Sequence, residues 1–122
     1  MTTPATQKVI LVRHGETEWS LNGRHTSTTD IPLTALGEQR AAKLQPFLSK
    51  WNFGVVLCSP RLRARRTCEL AGWSNSAEIT ADLSEWNYGD YEGLTTPEIR
   101  KSVPDWTVFT HPCPNGESAA DV

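Results

Sequence analysis

Two short apolar runs stand out along the chain, Val9-Ile10-Leu11-Val12 and Val55-Val56-Leu57, and each gives way at once to polar residues. Runs without alternation suit strands buried on both faces of a parallel sheet. Between them, Thr34 precedes Ala41, Leu44, Leu48 and Trp51 at spacings of three and four. That pattern predicts a helix capped by Thr34 and ended or kinked by Pro46. Ser59-Pro60, directly after the second run, sets a capping residue before a proline at the first helical position, so a second helix is predicted to start there. A weaker strand over 78–80 and a short helix over 97–101 follow. The order β-α-β-α predicts an α/β layered domain with a mostly parallel sheet and right-handed crossovers, built as one unit over 1–122.

Composition narrows the partners. With 38% hydrophobic and 21% charged residues and a formal net charge of −2, the chain offers no diffuse basic surface for nucleic acid or an anionic membrane, so any anion site must be local. The stretch from Met1 to Gln7 lacks a basic region followed by an apolar one, and no apolar run approaches a membrane span, so a cytoplasmic location is expected. Cys58, Cys68 and Cys113 show no zinc-like spacing and are odd in number; reduced thiols and no metal are expected.

In parallel sheets, ligands bind beyond the carboxyl ends of the strands. Two donor-rich segments fall there: Arg13-His14-Gly15-Glu16-Thr17 and Ser59-Pro60-Arg61-Leu62-Arg63. Gly15 lets the backbone turn and lets a ligand approach it. On the second helix, Arg63 shares a stripe with Thr67 and Leu70, which turns its guanidinium inward, whereas Arg61, Arg65 and Arg66 suit a solvated face. An inward arginine needs an anion, because an unpaired buried guanidinium is costly. The segment Leu83 to Gly93 is too irregular for a helix or strand and reads as a binding loop. Its Glu85, Asp90 and Glu92 are as readily loop caps or solvated charges as binding groups, and Trp19, Trp86, Tyr88 and Tyr91 suit either a pocket lining or a core.

Taken together, Leu11-Val12-Arg13-His14-Gly15-Glu16-Thr17-Glu18-Trp19, Thr29-Asp30-Ile31-Pro32-Leu33-Thr34 with Gly37-Glu38, Ser59-Pro60-Arg61-Leu62-Arg63-Ala64 with Thr67, and Leu83-Ser84-Glu85 with Tyr88 to Gly93 resemble the histidine phosphatase superfamily, the phosphoglycerate-mutase-like group. Within it, the chain is most similar to the sedoheptulose-bisphosphatase and acid-phosphatase branch. The resemblance implies a three-layer α/β/α fold and hydrolysis of a small phosphorylated metabolite, sugar phosphates among the candidates, through a phosphohistidine on His14. It further implies that Arg13 and Arg63 clamp the phosphoryl oxygens and that Glu85 is the acid and base, its pKa raised by partial burial. Ser20, Thr26, Ser27 and Tyr88 would line the phosphate and substrate pocket. No cofactor is implied, and a homo-oligomer stays open.

The pattern has departures. The family's second histidine, in a later His-Gly-His-type block, has no counterpart, and His111 beside Pro112 is expected to be a surface residue. Ser118 to Val122 reads as the first turn of a helix whose body does not follow. A cut-short chain is therefore expected, against a family core of roughly 200 residues, with weak or no activity of its own. A phosphoglycerate mutase is the rival enzyme, but Trp86 stands where mutases have arginine, and only Arg100-Lys101 replace their substrate-holding cations. An inactive phosphate-binding or interaction module is the rival of another class. A cysteine phosphatase would need arginine where Ala64 stands, and neither nucleotide-type glycine loop is present.

Overall fold

The computed structural model describes residues 6–122; Met1 to Ala5, part of the polar N-terminal stretch read above, lie outside the described residues. Among the described residues, five helices and two strands follow in the order α1 Glu18–Asn22, α2 Ala35–Ala42, α3 Leu44–Leu48, β1 Val56–Cys58, α4 Leu62–Leu70, β2 Ala77–Ile79 and α5 Thr96–Arg100, with 3-10 turns at Ala81–Leu83 and Gly89–Tyr91. β1 and β2 are parallel, in the register Val56 to Ala77 and Cys58 to Ile79, with α4 as the connection between them. α4 packs on β1, and α2 packs on α4. No helix among the described residues is long and apolar enough to cross a membrane.

The first apolar run corrects the sequence reading. Residues 9–12 form no strand, and Val9 and Leu11 are 81% and 90% exposed. Apolar side chains favour burial, but a strand exists only where a neighbour supplies partners for its backbone, and the sheet among the described residues is two-stranded. The second run also shifts, to Val56–Cys58, and is covered on one face only: Cys58 is buried while Leu57 is half exposed.

Local chemistry explains the helix ends. Thr34 caps α2 as expected, its hydroxyl accepting from the Gly37 amide at 3.0 Å. The helix breaks at Lys43, before Pro46 rather than at it. Proline lacks the N–H that would bond the Ala42 carbonyl, so the ladder fails one turn upstream and α3 restarts with Pro46 in its first turn. α4 begins at Leu62, not at Pro60. Ser59 only reaches the Arg61 amide, at 3.3 Å; the cap comes from a distant loop, where the Asp30 carboxylate accepts from the Leu62 amide at 3.0 Å. At its other end Trp73 N–H bonds Cys68 O and Gly72 N–H bonds Glu69 O, with Gly72 left-handed, which closes the last carbonyls. α5 carries a reciprocal Thr95 and Glu98 cap with proline in its first turn.

The apolar cluster lies elsewhere, around Ile99, Trp106 and Cys113, with Tyr88, Tyr91 and Leu94 packed on it. Tyr91 and Trp106 meet edge to face at 5.6 Å. The two tryptophans left undecided by the sequence meet protein atoms: Trp19 packs over Gly93, and the Trp86 indole donates to the Glu117 carbonyl at 3.0 Å.

The loop at 13–17 is pressed onto α2 through two glycines. A Cβ on Gly37 would sit 2.3 Å from the Glu16 carbonyl oxygen, and one on Gly15 would sit 2.7 Å from the Gly37 oxygen. Gly37→Ala is expected to destabilise the fold by about 2 kcal/mol, because backbone must move to admit a methyl group. Urea midpoints check this, with Gly54→Ala, whose methyl would meet nothing within 4 Å, expected to change stability by less than about 0.5 kcal/mol.

Candidate active site

Three segments meet at the 13–17 loop. Antiparallel pairing of Thr17 with Leu33, and the Thr34 amide donating to the Glu16 carbonyl at 2.9 Å, join it to the start of α2. Thr17 caps α1 in a reciprocal box with Ser20. From the other side, buried Thr67 on α4 accepts the Gly15 N–H at 3.0 Å and donates to the Arg63 carbonyl at 2.8 Å. One hydroxyl therefore sets the spacing between the His14 loop and the helix that carries Arg63.

His14 is half-buried. Its Nδ1 lies 2.7 Å from the Gly15 carbonyl oxygen, so Nδ1 carries the proton and Nε2 keeps its lone pair. Burial, and then the positive charges of Arg63 and Arg13, hold its pKa below the ordinary 6.5 against the raising effects of the Gly15 carbonyl and Glu85. The ring is neutral at pH 7. It borders an open cleft of about 270 Å³, lined also by Arg13, Gly15, Glu16, Ser20, Leu21 and Arg40.

Arg63 is 2% exposed and turned inward as its stripe predicted. Its acceptors are protein atoms: Nη1 donates to the Thr29 carbonyl at 3.0 Å, and Nη2 to those of Ser27 and Thr26 at 3.2 and 3.3 Å. Three of its five N–H groups are thus engaged, and Arg63 is not among the residues lining the cleft. Burial lowers its pKa, opposed by Glu85, Asp30 and Glu92.

The same loop is held on its amide side by Glu92, whose carboxylate accepts from the Ser27 amide at 2.8 Å, from the Ser27 hydroxyl, and from the Thr29 amide at 3.1 Å. Glu92 is therefore a loop cap, one of the two readings its sequence allowed. Burial alone would raise its carboxyl, but the hydrogen bonds from Ser27 and Thr29 outweigh it and hold the pKa below 4.5.

The remaining expected site residues divide. Glu85 is exposed, which corrects the expectation of partial burial; its Oε1 accepts from the Trp86 amide at 2.9 Å and the Tyr88 hydroxyl at 3.3 Å. The 3-10 turn before it, Ala81–Leu83, is exposed as well. Its charge still acts on both His14 and Arg63. Ser27 is buried with its hydroxyl on Glu92, Thr26 Oγ1 donates to the Arg24 carbonyl, and the Ser20 hydroxyl serves the α1 cap while facing the cleft. His111 is half-exposed and 3.6 Å from Asp105. Among the described residues, no cluster of three or more His, Cys, Asp or Glu could hold a metal ion.

Two residues escaped the sequence reading. His25 donates from Nδ1 to the Leu94 carbonyl at 2.7 Å and packs edge to face on Tyr88 and Trp106 at 4.8 and 5.3 Å. Arg40 reaches the cleft from α2; its place three residues after the loop-facing Gly37 was the available signal.

The family model of the histidine phosphatase superfamily, branch 1, matches residues 9–122. An acid phosphatase of Mycobacterium tuberculosis is 50% identical over 117 residues, covering 94% of this chain and 57% of that protein. Sedoheptulose 1,7-bisphosphatase of Saccharomyces cerevisiae is 39% identical over 140 residues, covering 96% and 52%. The solved structure of an open reading frame product from Mycobacterium tuberculosis superposes with a TM-score of 0.82 at 49% identity, over 88% of this chain and 56% of that one. The chain thus spans about half the length of the curated relatives it matches.

The Glu92 contacts give a pH dependence. A carboxyl held below its ordinary value contributes stability that is complete above pH 4.5 and is lost as the pH falls through its folded value. Urea midpoints measured from pH 7 down to 3 should fall in that window, and Glu92→Gln should lower the midpoint at pH 7 while flattening the acid decline. An unchanged acid slope in the variant would contradict the assignment.

Proposed function

This chain belongs to the histidine phosphatase superfamily, and we propose that it is a phosphomonoester hydrolase acting through a phosphohistidine on a small phosphorylated metabolite. The observation that carries the reading is the state of His14: a neutral imidazole, fixed by the Gly15 carbonyl on Nδ1, beside an open cleft with Arg13. Such a ring is ready to attack without a separate base.

In the proposed sequence, the Nε2 lone pair attacks phosphorus in line while the bond to the alcohol oxygen breaks. Glu85 in its protonated form gives that oxygen its proton. Water then attacks the phosphohistidine, Glu85 takes a proton from the water, and the P–N bond breaks to regenerate neutral His14. Arg13 neutralises charge on the transferring oxygens, joined by the field of Arg63. For Arg63 to bond the phosphoryl group directly, its two remaining N–H groups suffice in number. Ser20 and Tyr88 border the substrate; Thr26 and Ser27 shape the pocket through the loop that Arg63 holds. The remaining expectations, a soluble cytoplasmic enzyme with one catalytic domain and no cofactor, belong to the same proposal.

A mutase reading finds less support in this geometry. Holding a substrate carboxylate takes further cations. Trp86 turns its indole to Glu117, and Arg100 donates its Nε to the Trp106 carbonyl at 3.0 Å. Names of relatives favour hydrolysis in the same direction, an acid phosphatase and a bisphosphatase at 50% and 39% identity.

Incubation with a phosphomonoester should leave an acid-labile phosphoryl label on wild-type chain and none on His14→Asn, with turnover lowered by about three orders of magnitude or more. Because the pKa of His14 is lowered, the labelling rate should already exceed half its maximum at pH 6.5, where an ordinary histidine would be half protonated. Saturable phosphate binding with no label at any pH would instead favour the binding module.

A further inference from the structure

A second cleft, away from His14, is lined from α4 and from both strands of the sheet. It encloses about 210 Å³ and takes Cys58 from the end of β1, Arg65, Cys68 and Glu69 from α4, and Ile79 from the end of β2. Glu69 is paired with Arg66 at 3.0 Å. The phosphatase reading gives the two thiols no task, and the site they form is independent of it.

The thiols differ in access and in ionisation. Cys58 is buried and Cys68 half-buried, so a small molecule entering the cleft meets Cys68 first. Burial raises the pKa of both, that of Cys58 to about 11. Direct contact between the two side chains adds to the rise at Cys58 and opposes it at Cys68, which makes Cys68 the easier to ionise. Arg65, on the same cleft, favours the Cys58 thiolate in turn. Access and charge thus point the same way: Cys68 attacks first and Cys58 resolves. With both thiols protonated at pH 7, the pair responds to sustained rather than brief exposure to an oxidant.

We propose that Cys58 and Cys68 form a reversible dithiol site, oxidised by hydrogen peroxide to a disulfide that ties β1 to α4. The Cys68 thiolate attacks one peroxide oxygen, the O–O bond breaks and hydroxide leaves, giving a sulfenic acid. The Cys58 sulfur then attacks the Cys68 sulfur, the S–O bond breaks, and the departing hydroxide takes up a proton. Two thiols lose two electrons and two protons, and hydrogen peroxide is reduced to two waters. Closing the S–S bond to about 2.05 Å draws Cys68 toward β1. Cys68 adjoins Thr67, whose hydroxyl spaces the His14 loop from Arg63, so the strain of closure falls on that turn of α4. In a reducing compartment the bridge is transient, reopened by a dithiol.

The test is peptide mapping of the full chain after sustained exposure to hydrogen peroxide, with and without dimedone, which traps sulfenic acids. Wild type should yield a link between Cys58 and Cys68 of one chain, lighter by two hydrogens and reversed by dithiothreitol. Cys58→Ser should yield no such link and carry about tenfold more dimedone on Cys68 than wild type, because nothing resolves the sulfenic acid. Cys113, buried in the aromatic cluster, should keep its thiol throughout. Links to Cys113, links between chains only, or dimedone on Cys68 of wild type without a link would each overturn the inference. So would a wild-type Cys68 that reacts only once urea has unfolded the chain.

Discussion

The loop of residues 26–29 is held between two opposite charges, and the site depends on that clamp. Glu92 takes the amide side of the loop and Arg63 takes the carbonyl side. A buried guanidinium or carboxylate without partners costs several kcal/mol, so each charge is tolerable only because the loop's backbone supplies its partners. The loop, in turn, has no regular ladder of its own to satisfy its polar groups. Neither part is stable in place without the other. Asp30, one residue beyond the loop, extends the arrangement by capping the first turn of α4, from which Arg63 projects.

The histidine loop is coupled to this clamp by shape and by one hydroxyl. Gly15 and Gly37 allow backbone to approach backbone more closely than any side chain would permit, and Thr67 bridges Gly15 to Arg63. The result is electrostatic as well as geometric. Arg63 is buried to hold a loop, and its charge favours the neutral form of His14, reinforcing what burial does to the ring. The neutral imidazole is thus favoured by a cation that acts on it only through space.

Packing is uneven around this site. The aromatic cluster at Ile99, Trp106 and Cys113 braces the loop at 85–92 through Tyr88 and Tyr91, and Glu117 secures its backbone at Asn87. By contrast, the segment ahead of His14 leaves Val9, Leu11 and Val12 exposed. Precision in the site therefore comes from α2, α4 and the 26–29 loop, whose polar groups are paired, and not from a strand leading into His14.

The sequence by itself determined what is local or periodic. Thr34 as a cap, the inward stripe of Arg63 and Thr67, the strand near 78–80 and the short helix near 97–101 were all legible, because caps and helical spacing act within a few residues. The blocks around His14, Arg63 and Glu85 were legible as a family pattern. Tertiary structure alone decided the rest. An apolar run at 9–12 becomes a strand only if a neighbouring backbone pairs with it, and α4 starts where a carboxylate from a distant loop caps it. Whether Glu92 caps or dangles, whether Ser27 faces ligand or carboxylate, and whether Arg40 shares a cleft with His14 depend on contacts between residues far apart in the chain. Hydrogen bonds and charges act over a few ångströms of space, and only folding determines which residues lie within that reach.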